Sequence, residues 1–212
     1  MTGCDLIRNL LWCCGLVILL GSGCSNVSSS EHLNIEMKSE KEQREQLESF
    51  TYDDYREKLD QVVNEAEEMN LNDGLLYKWV IRVLADEALY MKTDLTHEQV
   101  VQLAKERMVE HTEWADYAMK KYNVSIDQKK LDEHISKNAD TSEITAHHAY
   151  ADALGLTLEE LNHEFDRDLY ERYVIWEQLR PILSEKYKIT DDRKLREKYE
   201  EEVKDYLKQG GY

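Results

Sequence analysis

Residues 146–165, AHHAYADALGLTLEELNHEF, allow two interpretations, and the choice between them decides the fold. Three histidines and several carboxylates lie within this stretch, a composition typical of metal sites. The central letters ALGLTLEEL instead predict a corner between two helices. Gly155 suits the left-handed end of one helix. Thr157 and Glu160 have the spacing of a capping box that begins the next helix.

The spacing of the histidines argues against a shared metal ion. His147 and His148 are adjacent, so on a helix their side chains point about 100° apart. A helical zinc pair needs two histidines four residues apart, as in HExxH. His147 and His163 each follow a glutamate by four residues, which is an ordinary surface pairing on a helix. We therefore expect no metal ion and no cofactor.

No catalytic pattern is present either. After residue 24 the chain has four glycines, two of them at its end, so it lacks a glycine-rich phosphate loop and a nucleophile elbow. The serines lie mainly before residue 50 and at predicted helix starts, where capping explains them. Carboxylates are abundant throughout and give no acid/base assignment. We expect that the protein is not an enzyme.

Helical periodicity extends in both directions from the corner. Tyr55, Leu59, Val62, Ala66 and Met69 step by four and three, which predicts one face of a helix. The segment from 76 to 88 carries a broader apolar stripe, and THEQ at 96–99 is another capping box.

No segment alternates convincingly with the period of a strand. The single proline, Pro181, falls inside a long helix predicted from about residue 158, where we expect a kink. We predict an all-α fold, an extended multi-helix bundle with several long helices, over residues 47–212.

The first 23 residues differ from the rest. One arginine, an apolar run from Leu10 to Leu20 and a small-residue exit have the layout of a signal peptide, and the run is too short to span a bilayer. The letters LLGSGC resemble the lipobox of bacterial lipoproteins, although Gly21 stands where that family usually has leucine. The resemblance implies lipidation of Cys24 and attachment to the outer side of a bacterial cell membrane. Secretion after cleavage elsewhere is the alternative.

Cysteine positions agree with this interpretation. All four cysteines lie at or before position 24, so the remaining chain has no pair for an internal disulfide and no catalytic thiol. Residues 24–46 have few large apolar side chains and no sustained stripe, and we interpret them as a flexible tether.

A formal net charge of −17 limits the possible partners. Nucleic-acid phosphates and anionic lipid surfaces would repel such a chain, so we exclude nucleic acid and expect membrane contact through the lipid alone. A basic or unfolded polypeptide is electrostatically compatible.

Aromatic composition points towards polypeptides. Beyond the leader the chain has thirteen Tyr and three Trp but two Phe. Tyr and Trp combine apolar area with a polar tip, which suits protein-binding surfaces. The candidate binding residues are Trp79, Trp114, Tyr173 and Trp176. The alternative is that these rings fill a helical core.

The order of motifs resembles the N-terminal chaperone domain of the SurA-like and PrsA-like extracytoplasmic foldases. The matching segments, in chain order, are YNVSIDQKKLDEHI (122–135), ALGLTLEEL (153–161), LYERYVIWEQLRPIL (169–183) and YKITDDRKLREKYEEEV (187–203). Each is weak alone, and their order and spacing carry the resemblance.

In those foldases a parvulin-type isomerase domain follows the last of these segments. No GGDLG-like parvulin signature occurs in this chain. The resemblance therefore implies a helical domain that binds non-native or partner polypeptides without isomerase activity. The alternative is a structural or assembly lipoprotein with one dedicated partner in an envelope, spore or secretion complex.

Overall fold

The computed structural model describes residues 33–209 of the chain. The predicted signal peptide (residues 1–23), Cys24 and the first part of the predicted tether lie outside these residues. Within residues 33–209 the protein consists of nine α-helices and two π-helical turns, with one isolated β-bridge and no strand. This confirms the all-α prediction.

The helices follow one another with short connections. In chain order the α-helices are α1 (Glu40–Ser49), α2 (Tyr52–Glu68), α3 (Gly74–Tyr90), α4 (His97–Tyr122), α5 (Gln128–His134), α6 (Thr145–Ala153), α7 (Leu158–Glu160), α8 (Arg167–Tyr187) and α9 (Asp192–Gln209). The π-helical turns are Ile135–Ala139, directly after α5, and Leu161–Phe165, directly after α7.

Side-chain caps set the starts of many of these helices. Thr51, Thr96 and Thr157 each accept a hydrogen bond from the backbone N–H three residues later, and the side chain there bonds back to the cap. These contacts satisfy N–H groups that have no partner inside the helix.

The last helix follows two adjacent residues that could each cap it, Thr190 and Asp191. Asp191 is the cap, since it accepts the hydrogen bond from the Lys194 N–H at 2.9 Å. A carboxylate is an equally good cap, so sequence alone does not choose between the two neighbours.

The N-terminal half of the molecule is built around α3. This helix packs against α2 and the first half of α4, and α2 also packs against α6. The main core here, called core 1, contains buried residues from α2, α3 and α4 and the residue that follows α3: Val62, Ala66, Trp79, Val80, Ile81, Val83, Leu84, Met91, Val100, Leu103 and Ala104.

The C-terminal half is built from the second half of α4 together with α8 and α9. Its core, called core 2, contains Trp114, Tyr117, Ala118, Val124, Ile175, Trp176, Leu179, Leu183, Leu195, Tyr199 and Val203. Because α4 has 26 residues, it is roughly 39 Å long and contributes to both cores.

Glu202 joins α9 to its neighbours. Its carboxylate accepts hydrogen bonds from Tyr117 at 2.9 Å, from Tyr122 at 2.5 Å and from Lys186 at 2.6 Å, and from the Tyr187 hydroxyl. Burial raises the pKa of Glu202, but these donors outweigh it and hold the pKa below its usual value.

The tether is shorter than we predicted. Residues 40–49 form α1, and the segment before it packs against core 1 through Leu33, Ile35 and Met37. The Lys38 N–H donates to the Tyr90 carbonyl and the Lys92 N–H to the Glu36 carbonyl, each at 2.8 Å. The letters LNIEM alternate apolar and polar residues over too few positions to stand out in the sequence. The prediction of a tether is therefore wrong for residues 33–46.

The long helix predicted from about residue 158 is interrupted. The Asp166 N–H donates to the Leu161 carbonyl, five residues earlier, at 2.7 Å. This widened turn ends at Asp166, and α8 begins at Arg167 and continues past Pro181. The physical reason is non-local: the turn directs Asp166 towards Arg82 on α3.

No α-helix among residues 33–209 combines the length and apolar character needed to cross a bilayer.

Candidate polypeptide-binding surface

The three tryptophans predicted to bind polypeptide lie in the cores. Trp79, Trp114 and Trp176 are 7%, 4% and 1% exposed. At such exposure a ring offers almost no surface to another chain. Direct contact between these rings and a polypeptide would require the cores to open, and it stays a prediction.

The structure brings two of these tryptophans together. Trp114 lies edge-on to Tyr199, with ring centroids 4.9 Å apart, and Trp176 lies 6.4 Å from the same ring. Trp79 belongs to core 1 instead, where its ring lies 5.2 Å from that of His111. The rings are packed as aromatic pairs of the kind that stabilise cores.

Tyr173 is only partly buried. Its ring stacks on His134 of α5, with centroids 3.9 Å apart. Burial raises the pKa of Tyr173 and lowers that of His134, so the His134 ring is more readily neutral at pH 7 than an exposed histidine. This pair fixes α5 against α8.

An open groove lies elsewhere, between the end of α2 and the first turns of α4. Its volume is about 500 Å³, within the range of ligand-binding clefts. Met69, Leu71 and Val101 form its apolar surface. Its polar residues are His97, Glu98, Gln102, Lys105 and Glu106.

Local sequence positions the groove. α2 ends at Glu68, and Asn70 turns the chain with a left-handed φ of 51° while its side chain donates to the Glu68 carbonyl. The His97 ring lies 3.3 Å from the Glu65 carboxylate, which links α2 to the start of α4. Both walls rest on core 1, so the groove is part of a packed scaffold.

The groove can accept apolar side chains next to polar or basic ones. Methionine is flexible and polarisable, and it adapts to varied apolar partners. The nearby glutamates Glu98 and Glu106 offer acceptors and negative charge. The sequence does not reveal this surface, because the spacing of Met69 predicts a place on one apolar helix face and Val101 belongs to no distinctive motif.

A buried ion cluster holds α3 against the start of α8. Arg82 donates to Asp166 at 2.9 Å, to Asp168 at 2.7 Å and to the Phe165 carbonyl at 3.0 Å. Lys78 lies 3.0 Å from Asp168. Burial raises the pKa of both carboxyls. Arg82 and Lys78 nevertheless hold the pKa of Asp168 well below its usual range. The pKa of Asp166 stays raised. The Arg82 donors are used within the cluster, which indicates a structural role.

The histidines of residues 146–165 are held by hydrogen bonds. His163 Nε2 lies 3.0 Å from Asp140 Oδ2, and His148 Nε2 lies 2.7 Å from the Ser142 carbonyl. Asn162 donates to the other oxygen of Asp140 at 3.0 Å. Burial lowers the pKa of His147. No group of three or more His, Cys, Asp or Glu side chains within residues 33–209 is arranged to hold a metal ion.

Comparison with known proteins found no match for this chain. No protein-family model, no curated protein and no solved structure matched it. Motifs in the sequence, the groove and the charge of the chain are therefore the features that point to a function.

Proposed function

We propose that the protein is a membrane-anchored extracytoplasmic lipoprotein whose helical domain binds unfolded polypeptide segments. The observation that carries the proposal is the open groove between α2 and α4, with Met69, Leu71 and Val101 on its surface. A groove of about 500 Å³ accommodates several side chains of an extended segment.

The occupant is an extended segment in which apolar residues alternate with lysine or arginine. The chain carries a formal net charge of −17, and Glu98 and Glu106 line the groove. Attraction between opposite charges speeds encounter and disfavours acidic partners. Exposed basic and apolar residues occur together in unfolded chains, which is the chemistry that this surface fits.

Two sequence features support the same function. The foldase-like order of motifs from residue 122 to 203 implies a helical domain that handles non-native polypeptides, with no isomerase activity. The LLGSGC motif implies a lipid on Cys24, which would place the domain at the outer face of a bacterial cell membrane.

A light-scattering assay tests the binding function. We expect a stoichiometric amount of the protein to suppress the aggregation of several unrelated, chemically denatured clients as they are diluted. Absence of suppression for every client would contradict the proposal. Saturable binding to one folded protein, without suppression, would favour the dedicated assembly partner instead.

Substitution of Cys24 tests the anchor separately. We expect Cys24→Ala to release the protein from the membrane fraction, whereas Cys14→Ala leaves it membrane-bound. Membrane association that survives Cys24→Ala would rule out lipidation at Cys24, and it would leave the polypeptide-binding function to be judged by the scattering assay.

A further inference from the structure

Residues 33–38, called the strap, run antiparallel to residues 90–93 at the end of α3. The Lys38 N–H and the Glu36 C=O form hydrogen bonds with the backbone of residues 90–93, each at 2.8 Å. The Glu36 N–H donates to the Thr93 hydroxyl, also at 2.8 Å. The peptide groups on one side of the strap are therefore bonded within the molecule.

The other side of the strap carries backbone groups without such bonds. In a trans peptide the C=O of one residue and the N–H of the next point in opposite directions, and residues 33–209 contain no cis peptide bond. Because the Glu36 and Lys38 groups point towards residues 90–93, the Ile35 C=O and both the N–H and C=O of Met37 point away from them. These three groups have no hydrogen-bond partner within the described part of the chain.

The outward groups of the strap face solvent, since backbone groups that are buried without a partner are rare in folded proteins. The side chains point elsewhere: Leu33, Ile35 and Met37 pack against core 1, whereas Asn34 and Glu36 are exposed. The strap therefore presents a short open edge whose donors and acceptors are spaced as in a β-ladder.

We infer that the outer edge of the strap binds an extended segment of an unfolded polypeptide by strand pairing. An open edge is a template for pairing with another chain, and the bonds are made by main-chain groups that every polypeptide has. The inference rests on the proposed function for the class of its occupant. It adds a second contact, distinct from the groove, that recognises the backbone of a client and so suits unrelated sequences.

Charge favours a client over a second copy of this chain. Pairing of two straps would bring together two molecules that each carry a formal net charge of −17 and would place two exposed Glu36 side chains near one another. Lys92 lies 3.6 Å from Glu36 and 3.1 Å from Glu42, so one cation is shared by two carboxylates. A segment that contains lysine or arginine is attracted to the same surface.

Amide hydrogen exchange in the full-length, ¹⁵N-labelled protein tests the open edge without a ligand. We expect the Met37 N–H to exchange roughly tenfold or more faster than the N–H groups of Glu36 and Lys38, which are bonded within the molecule. Slow exchange at Met37 would show that its N–H already has a partner, and it would overturn the proposal.

A peptide titration tests the occupant. The probe is a short peptide of alternating valine and lysine, and the control is the same peptide with every backbone amide N-methylated, which keeps the charge but removes the donors. We expect the unmodified peptide to shift the Met37 N–H signal saturably and to slow its exchange, and the methylated peptide to do neither. No saturable shift, or an equal response to both peptides, would overturn the proposal.

Two variants at one position give the matched comparison. Met37→Pro removes the outward N–H but leaves those of Glu36 and Lys38, and proline is tolerated at strand edges. We expect roughly five- to tenfold weaker peptide binding for Met37→Pro and a change of less than about twofold for Met37→Leu. Slow exchange of the Lys38 N–H shows that the strap stays in place, and unchanged peptide binding by such a Met37→Pro protein would overturn the proposal. If the strap detaches, the methylated peptide decides.

A variant of the groove separates this edge from the proposed function. We expect Val101→Asp to leave the Met37 response unchanged, and loss of that response would overturn a separate edge site. A saturable Met37 response together with no suppression in the light-scattering assay would support the edge while contradicting the proposed function. A Met37 shift that grows with protein concentration, without peptide, would assign the edge to a second copy and overturn the inference.

Discussion

Arg82 shows how one side chain fixes the junction between helices. It is 8% exposed, and it pairs with Asp166, which is 6% exposed, and with Asp168. Breaking a buried ion pair leaves the remaining charge unpaired, and this costs more than the pair itself contributes. Arg82 therefore neutralises both carboxylates at the junction between α3 and the start of α8, and Lys78 makes a second contact to Asp168.

We expect Arg82→Met to lower the free energy of unfolding by about 3 to 5 kcal/mol, because the buried Asp166 carboxylate loses its partner and Asp168 keeps only Lys78. Urea denaturation measures the change. Arg180→Met removes an exposed arginine that lies 3.9 Å from Glu177, and it should cost less than about 1 kcal/mol. A loss below about 1 kcal/mol for Arg82→Met would show that the cluster is not structural.

His111 makes stability depend on pH. Burial, followed by the charge of Arg172, lowers the pKa of His111 to about 4 from a usual value of 6.5. As the pH falls, His111 therefore takes up a proton in the unfolded chain before it does so in the folded protein. The stabilisation of the folded state that is present above pH 6.5 is lost as the pH falls towards 4.

Between pH 7 and pH 5 we expect the wild-type protein to lose about 1 to 2 kcal/mol more stability than His111→Gln. Urea denaturation at each pH gives the difference. Identical pH curves for the wild type and His111→Gln would show that His111 is not buried in its neutral form.

At the scale of elements, the segment before α1 is part of the folded domain. Ile35 packs against core 1, whereas the neighbouring Asn34 is exposed. We expect Ile35→Asp to destabilise the protein by about 1 to 2 kcal/mol, because a charge replaces a half-buried apolar side chain. Thermal unfolding measures it, with Asn34→Asp as the control. Equal thermal unfolding midpoints for the two variants would show that this segment is part of the flexible tether and not of the folded domain.

Local signals in the sequence predicted the helices well. The capping boxes at Thr51, Thr96 and Thr157 depend on residues three apart, and Gly155 has the left-handed φ of 69° expected at the end of a helix. Such features are visible in a few neighbouring letters. For this reason these three helix starts and the all-α class could be inferred without a structure.

The interruption at 161–165 could not be inferred in this way. It depends on Arg82, which lies 84 residues before Asp166, and nothing within the stretch itself marks a widened turn. The burial of Trp114 and Trp176 was equally hidden, because composition does not distinguish an aromatic core from an aromatic groove. The groove joins Met69 to Val101, which come together only in the folded molecule.

For the whole molecule, the buried tryptophans and the open groove lie in different places. Two cores joined by α4 bury Trp79, Trp114 and Trp176, and the groove lies at the N-terminal end of α4. Val101 lines the groove, whereas Val109 of the same helix is 43% exposed and does not. The two valines therefore form a matched pair of positions for substitution.

The most direct test of polypeptide binding is a fluorescence anisotropy titration with a labelled, permanently unfolded polypeptide that contains apolar and basic residues. We expect Val101→Asp to weaken binding roughly tenfold, or about 1.4 kcal/mol, and Val109→Asp to change it less than twofold. Equal thermal midpoints would confirm that both variants are folded. Equal affinities for the two folded variants, or no binding by the wild-type protein, would contradict the account.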